Sequence, residues 1–347
     1  MVIEFKKYSS IENVSRTKTI NAITEQGLND AHTVWTVSEK IHGSNFSLYI
    51  TSSEIKAAKR SSFLGVGQNF FNFEDVLDEH LDRLKLLFVF TTELYDIEPD
   101  KLEIILYGEL FGGTYPHDDV APVAGATKVQ RGVYYSPFNT FYAFDMKVNG
   151  GIINIEVFEE LMEQVGFIHA KSLFRGILEE CLAYPNEFQT TLPAAFGLPK
   201  IENNICEGVV IKPIVAKYFG SGSRVILKNK NEKFAEIANE SRPKKERVPV
   251  DISMSEEEDA LYQTALAYVT KNRLCNVISK IGEITDKMFG KLQGMFMKDV
   301  MEDFRKDHGE AWDALEKKRA KVIQVNLNNH VKELVRENFL DIIDGTF

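Results

Sequence analysis

Proline and strand patterning stop at the same place in this chain. The last proline is Pro249, and from Asp259 onward the sequence shows long helical periodicity with no strand signal. Before that point, short apolar and β-branched runs alternate with Gly, Pro and Asn turn signals. The two halves of the pattern demand different architectures, so an α+β part followed by a helical part is expected. Ser241 to Val250, with two prolines and a charge cluster, reads as the linker. We place the boundary near residue 245, giving domains 1–245 and 246–347.

Within the first part, Thr33 to Ser38 and Ser44 to Thr51 read as strands around a turn at Gly43. Leu102 to Tyr107 reads as a buried strand ending at Gly108. Thr140 to Val148 is a further strand, stopped by Asn149-Gly150-Gly151. Ile155 to Val165 carries apolar residues at helical spacing and stops at Gly166. Gly208 to Ile214 and Ser223 to Lys228 read as two strands joined through the turn Gly220-Ser221-Gly222. Past the linker, Ser253 to Glu258 has the polar cap and early acids of a helix start.

At 347 residues the chain is long enough for two modest cores. No apolar run approaches the roughly 18 residues needed to span a bilayer, and Met1 to Ser10 lacks the apolar core of a signal peptide. The three cysteines are far apart with no Cys-x-x-Cys pair, so neither a zinc knuckle nor a disulfide framework is indicated, and a reducing cytoplasm fits. The net charge of −10 argues mildly against nucleic-acid binding, but the local field matters more than the sum. Between Lys212 and Arg247, ten basic residues face four acidic ones. That stretch is either a solvated face or an anion-binding one.

Five segments carry candidate chemistry. Glu39-Lys40-Ile41-His42-Gly43-Ser44-Asn45 puts a lysine at a strand end, from which an amine can enter a cleft. Such an amine attacks only when neutral, so nearby cations or desolvation must lower its pKa from about 10.4. Lys59-Arg60 could hold a ribose or phosphate, or be an ordinary surface pair. In Tyr107-Gly108-Glu109, a carboxylate follows a buried strand and suggests a ligand hydroxyl or a metal, or a satisfied strand-end acid. In Phe141-Tyr142-Ala143-Phe144-Asp145, the aromatics are core, or one stacks on a base. Last come Glu207-Gly208-Val209-Val210-Ile211-Lys212 and Arg224 to Lys230. Lys228 and Lys230 lie two apart on a strand and so face one side; two like charges there repel unless an anion lies between them. Glu207 could hold a divalent ion, which prefers oxygen ligands.

In this order the segments resemble motifs I, Ia, III, IIIa, IV and V of the covalent nucleotidyltransferases, which include DNA ligases, RNA ligases and mRNA capping enzymes. The usual motif I is K-x-D-G, whereas here it is Lys40-Ile41-His42-Gly43. Histidine at that place, followed by Ser44-Asn45-Phe46, is similar to the RNA ligase 2 family of phages and the kinetoplastid RNA-editing ligases. The opening Phe5 to Asn13 resembles the same family, as do Tyr268 to Arg273 and Asn276 to Ile284 in the helical part. DNA ligases and capping enzymes normally continue after motif V into an oligonucleotide-binding β-barrel, which the helical pattern disfavours.

The resemblance implies an ATP-grasp-like nucleotidyltransferase (adenylation) domain of mostly antiparallel sheets, plus an all-helical C-terminal domain. It implies ATP as co-substrate with Mg²⁺ or Mn²⁺, and RNA as partner: a nicked duplex, possibly with DNA in part. No membrane and no obligate protein partner are expected, and the cytoplasm would be the host's if a phage encodes the chain. Lys40 would be the nucleophile, with Glu207, Lys228 and Lys230 in the catalytic set. The nucleotide would meet Glu39, Lys40, Ile41, Asn45, Lys59, Arg60, Glu109, Phe144, Glu207, Lys228 and Lys230, with Arg224 as a further candidate. Arg60 and Glu109 would hold the ribose, Phe144 would stack on adenine, and Glu207 would sit near the metal. His42 is read as a turn-stabilising residue rather than an acid–base group. Lys271, Arg273 and Lys280 are candidate RNA phosphate contacts, or solvated surface.

Overall fold

The computed structural model describes residues 3–235 and 254–347. It divides into two compact units, Met1–Lys233 and Phe234–Phe347. The linker Ser241 to Val250, the boundary near residue 245, and the basic residues Arg242, Lys244, Lys245 and Arg247 lie outside the described residues.

The first unit contains two sheets. In chain order its strands are β1 (Glu12–Asn13), β2 (Trp35–Glu39), β3 (Ser44–Ile50), β4 (Ile55–Lys59), β5 (Ser62–Phe63), β6 (Ile104–Gly112), β7 (Asn139–Val148), β8 (Gly151–Ile152), β9 (Ser172–Gly176), β10 (Gly208–Pro213) and β11 (Leu227–Lys230). Its main helices are α1 (Thr17–Glu25), α2 (Phe73–Tyr95), α3 (Ile155–Val165), α4 (Leu178–Leu182) and α5 (Leu192–Ala195). One sheet runs β1-β11-β10-β2-β9 and the other β5-β4-β3-β6-β7-β8. All neighbours pair antiparallel except β1 with β11.

Strand alternation builds the layers. On β6, Ile104, Leu106 and Leu110 enter a core shared with Phe73, Leu84 and Leu87 of α2 and with Phe158, Leu161 and Met162 of α3. Ile105 and Tyr107 point to the other face, where they pack with Tyr8, Tyr49 and Ile226. In the second sheet, Trp35, Val37, Val209, Ile211 and Leu227 pack with Ile23 of α1 and with Leu178 and Cys181 of α4.

Three elements differ from the sequence reading. β6 does not end at Gly108 but runs on to Gly112, so Glu109 lies inside a strand. Gly108 permits this continuation: a Cβ there would lie 2.1 Å from the ring of Phe141 and 2.3 Å from the Tyr142 carbonyl. The strand expected over Ser223 to Lys228 is confined to Leu227–Lys230, and the glycine turn before it is closed by an isolated Tyr218–Arg224 bridge. The 23-residue helix α2 has no counterpart in the sequence reading.

The second unit is helical throughout its described residues, with α6 (Glu256–Leu266), α7 (Lys271–Ile281), α8 (Phe289–Asp313) and α9 (Lys317–Ile343). Ser255 caps α6 in a reciprocal box: its hydroxyl accepts from the Glu258 amide at 3.3 Å, and the Glu258 carboxylate accepts from the Ser255 amide at 2.9 Å. Leu274, Val277, Leu292, Phe296, Phe304, Ile323, Leu327 and Val331 form its core. Arg273 is buried between Asp299 at 2.9 Å and Asp303 at 2.8 Å, with the ring of Tyr268 against its guanidinium, and Lys280 also pairs with Asp299. Two of the three cations expected to meet RNA phosphate are thus bound to carboxylates of α8. Lys271 instead lies over the Phe347 ring.

Candidate active site

Register places three charged residues at one end of three adjacent strands. Lys40 follows β2, and its amide donates to the Gly208 carbonyl at 2.9 Å, extending the β2–β10 ladder by one rung. Glu207 precedes β10, and Gly208 pairs with Lys230 on β11. Gly208 has φ +142°, and a Cβ there would meet the Asn229 carbonyl at 2.1 Å, so glycine alone fits this closure. Lys40 Nζ then lies 2.8 Å from one oxygen of Glu207, and Lys230 Nζ lies 2.7 Å from the other.

Glu207 is buried, and burial alone would push its carboxyl up. The Lys230 and Lys40 amines, with His42 adding to them, win and hold it at about 2. The His42 ring stands 3.6 Å from Glu207, beyond hydrogen-bond reach. Its backbone amide donates to the buried Tyr135 hydroxyl at 3.0 Å, which pins the turn after Lys40. Gly43 brings that turn against β6: a Cβ would lie 2.5 Å from the Leu110 carbonyl and 2.8 Å from the Glu109 side chain.

Glu109 therefore stands close to the lysine turn. Its strand partner is Asn45 on β3, which is half-buried. Burial raises the Glu109 carboxyl to about 8, with Glu207 adding to the rise and Lys40, Arg60 and Lys230 opposing it. Near neutral pH this acid is largely protonated and can donate a hydrogen bond. The remaining charges there, Lys40, Lys230 and Arg60 against ionised Glu207, leave an excess of cations suited to an anion.

Phe144 is set by a bulge. Pairing of β6 with β7 jumps from Tyr107–Asp145 to Gly108–Ala143, leaving Phe144 as the extra residue. Its ring packs edge-on to Tyr8 at 5.0 Å and remains half-buried. Its carbonyl accepts from Lys212 Nζ at 2.8 Å. Next to it, Asp145 is fully buried and accepts from Tyr8 at 2.8 Å, from Lys212 at 3.3 Å and from Arg224. Despite burial, Arg224 and Lys212 hold Asp145 down at about 2. Arg224, a candidate for nucleotide contact, is thus buried in an internal ion pair that ties β7 to the neighbouring sheet.

Other candidates are placed differently. Lys228 is half-buried two residues before Lys230, beside Val210 of β10 and Asn13 of β1. Lys59 pairs across the sheet with Phe46, a core residue, and reaches over the Phe70 ring at 5.8 Å, on the face away from Glu109. Ile41 is buried. Glu39 is buried too, and its carboxylate accepts from the hydroxyls of Thr190 and Thr191 and from the Thr191 amide at 2.9 Å. Burial raises its pKa and those bonds oppose the rise. Sequence reasoning assigned no role to Tyr8, Tyr135, Asp145 or Lys212. Asp145 and Lys212 stood inside the candidate segments and Tyr8 inside the opening segment, but only Asp145 stood out chemically, as an acid embedded in an aromatic strand.

Among the described residues, no group of three His, Cys, Asp or Glu side chains is placed to hold a metal, and no helix is long and apolar enough to cross a membrane. A family model described as RNA ligase matches residues 33–230, and one described as T4 RNA ligase 2 C-terminal matches residues 252–333. Mitochondrial RNA-editing ligase 1 of Trypanosoma brucei brucei is 30% identical, over 88% of this chain and 76% of that protein. Mitochondrial RNA-editing ligase 2 of the same organism is also 30% identical, over 87% and 83%. A solved Naegleria gruberi RNA ligase with PPi aligns at TM-score 0.42 and 16% identity over 66% of this chain, which spans only 57% of that structure. Mutants of that enzyme were solved with ATP and Mn.

Proposed function

We propose, for a chain that belongs to the RNA ligase family and carries the C-terminal part of the RNA ligase 2 type, that it seals nicks in duplex RNA with ATP through a lysyl-AMP on Lys40. The observation that carries this reading is Glu207, held between Lys40 and Lys230 at 2.8 and 2.7 Å. One lysine is positioned to attack and another to meet the charge that develops on phosphorus.

In this reading the neutral Lys40 amine attacks the α-phosphate of ATP, a P–N bond forms and pyrophosphate leaves. The adenylate passes to an RNA 5′-phosphate, the Lys40–P bond breaking as the new P–O–P linkage forms. The adjoining 3′-hydroxyl then attacks that 5′-phosphate, a phosphodiester forms and AMP leaves. Glu207, held near 2, is a poor proton acceptor. Its part is to position Lys40 and Lys230 until phosphate replaces it. Lys228 and Lys230 supply fixed positive charge, which stabilises the transition state without reorganisation. Largely protonated Glu109 and Arg60 suit a ribose, and Phe144 offers a ring face to adenine.

A divalent ion fits this site as a partner of the phosphates. Glu207 is one carboxylate among cations, and Mg²⁺ or Mn²⁺ is commonly held by one or two carboxylates together with phosphate oxygens and water. When bound, the ion would polarise the phosphoryl oxygens. We assign adenylation to residues 1–245 and the RNA-handling steps to 246–347. Cys181, Cys206 and Cys275 are free and buried or partly buried, which suits a reducing compartment such as the cytoplasm.

The test uses ATP labelled on the α-phosphate, with Mg²⁺ or Mn²⁺, followed by denaturation. Wild type should keep the label and Lys40→Ala should keep none. Chasing the labelled protein with nicked duplex RNA should release AMP and yield sealed product faster than single-stranded ends do. Label that persists in Lys40→Ala would falsify the assignment of the nucleophile. Truncation near residue 245 should spare labelling and abolish sealing.

A further inference from the structure

Lys271, Arg273 and Lys280 of α7 do not present a free basic surface, since Arg273 and Lys280 pair with Asp299 and Asp303. Of the basic residues of α9, Arg319 is paired with Glu258 of α6, and five others behave differently. Lys317, Lys318, Lys321, Lys332 and Arg336 are all exposed, and none lies within ion-pair distance of an acid among the described residues. At 3.6 residues per turn these five fall within about 100° of the helix circumference. Glu333, Glu337 and Asp341 fall at least about 60° beyond that sector. Glu333 also leans toward His330 at 3.9 Å, whose ring lies near Tyr262 of α6. On one flank of that sector, Ile323, Leu327, Val331 and Val335 turn into the core, Val335 at the sector's edge. The result is an acid-free basic stripe about 28 Å long at 1.5 Å per residue, on a chain whose net charge is −10.

The stripe is placed against the helix's own electrostatics. Lys317, Lys318 and Lys321 occupy the first turns, where the dipole is positive and lysine is disfavoured; Glu316 at the N-cap is the one acid there, and none stands in the first turn itself. All three are exposed. An extended polyanion laid along the helix would relieve both the dipole and the mutual repulsion. The cations form two groups, 317–321 and 332–336, about 16 Å apart along the helix, a span that suits separate phosphates of an extended polyanion better than a single small anion.

We propose that this face of α9 holds the sugar–phosphate backbone of the duplex RNA substrate; this rests on the RNA ligase reading above. The contacts would be to phosphate, so they would position the duplex without reading its sequence.

The test is a variant with Lys317, Lys318, Lys321, Lys332 and Arg336 all changed to Gln, which keeps helix propensity. Two part-variants, the three N-terminal lysines and the Lys332/Arg336 pair, guard against misfolding, and Trp312 fluorescence checks the second unit. Binding to nicked duplex RNA is measured across a salt series, beside Lys40 labelling by ATP. If all five contact phosphate, the slope of log affinity against log salt falls by about 0.9 × 5, or 4.5, with part-variants in between. Affinity at low salt falls at least tenfold, and labelling is unchanged. A wild type that labels and binds, beside a variant with the same slope and affinity, overturns this proposal alone. A wild type that neither labels nor binds removes the ligase reading and this proposal together.

Discussion

Asp145 is the buried charge on which the first unit most depends. It is fully buried, and its carboxylate serves Tyr8, Lys212 and Arg224, which are themselves nearly inaccessible. Asp145→Asn would leave two buried cations without their counter-charge, a change that costs about 3–5 kcal/mol in comparable pairs. With a urea m-value of roughly 2 kcal/mol/M, the midpoint should fall by about 2 M. Titration of the wild type gives a second, smaller figure. The folded carboxyl sits at about 2 against an ordinary 3.8. At 1.36 kcal/mol per pH unit that gap is about 2–3 kcal/mol. Because the folded pKa is depressed, this stabilisation is full above pH 3.8 and is lost as pH falls through 2. The Asn variant should lack that acid-dependent loss. The two tryptophans make the assay clean, since Trp35 is buried in the first unit and Trp312 in the second. In a Trp312→Phe background, fluorescence reports the first unit alone. A variant midpoint within about 0.3 M of wild type, together with an unchanged acid limb, would refute the reasoning and mark the cluster as dispensable.

Two further outcomes follow from the site. Glu109→Gln should reverse a pH trend: the folded carboxyl titrates at about 8 against 4.5, so its contribution is full below pH 4.5 and is lost as pH rises through 8. The variant should gain on wild type by at most a few kcal/mol between pH 5 and 9, measured by urea midpoints without nucleotide; parallel profiles would sink this account. Gly43→Ala puts a methyl 2.5 Å from the Leu110 carbonyl. It should cost about 1–3 kcal/mol and slow Lys40 labelling on the order of 100-fold through displacement of the lysine turn. Labelling at the wild-type rate would show that the turn has slack.

Much of the architecture could be read along the chain because its causes are local. The helix Ile155–Val165 follows from its apolar spacing and from Gly166, which takes the left-handed conformation at its end. The start of α6 follows from a four-residue capping box, the strands β2 and β3 from alternation around a turn glycine, and β7 from an apolar run stopped at Asn149-Gly150-Gly151. The candidate residues were also visible as an ordered set of short segments. The long helix α2 was not, because its Phe88-Val89-Phe90-Thr91-Thr92 run is β-branched and aromatic, and only packing on the sheet overrides that preference.

Pairing across distant segments was decided by tertiary structure. Nothing along the chain separates Lys212 and Arg224, buried on Asp145, from Lys230, which meets Glu207 at the strand ends. Sequence likewise offered Arg273 and Lys280 as phosphate contacts, whereas α8 brings Asp299 and Asp303 to them and leaves Lys317, Lys318, Lys321, Lys332 and Arg336 of α9 exposed. The reason is physical: periodicity and turn chemistry act between residues a few positions apart and so show in a single sequence. The state of a charge depends on which carboxylate the fold carries to it from dozens of residues away.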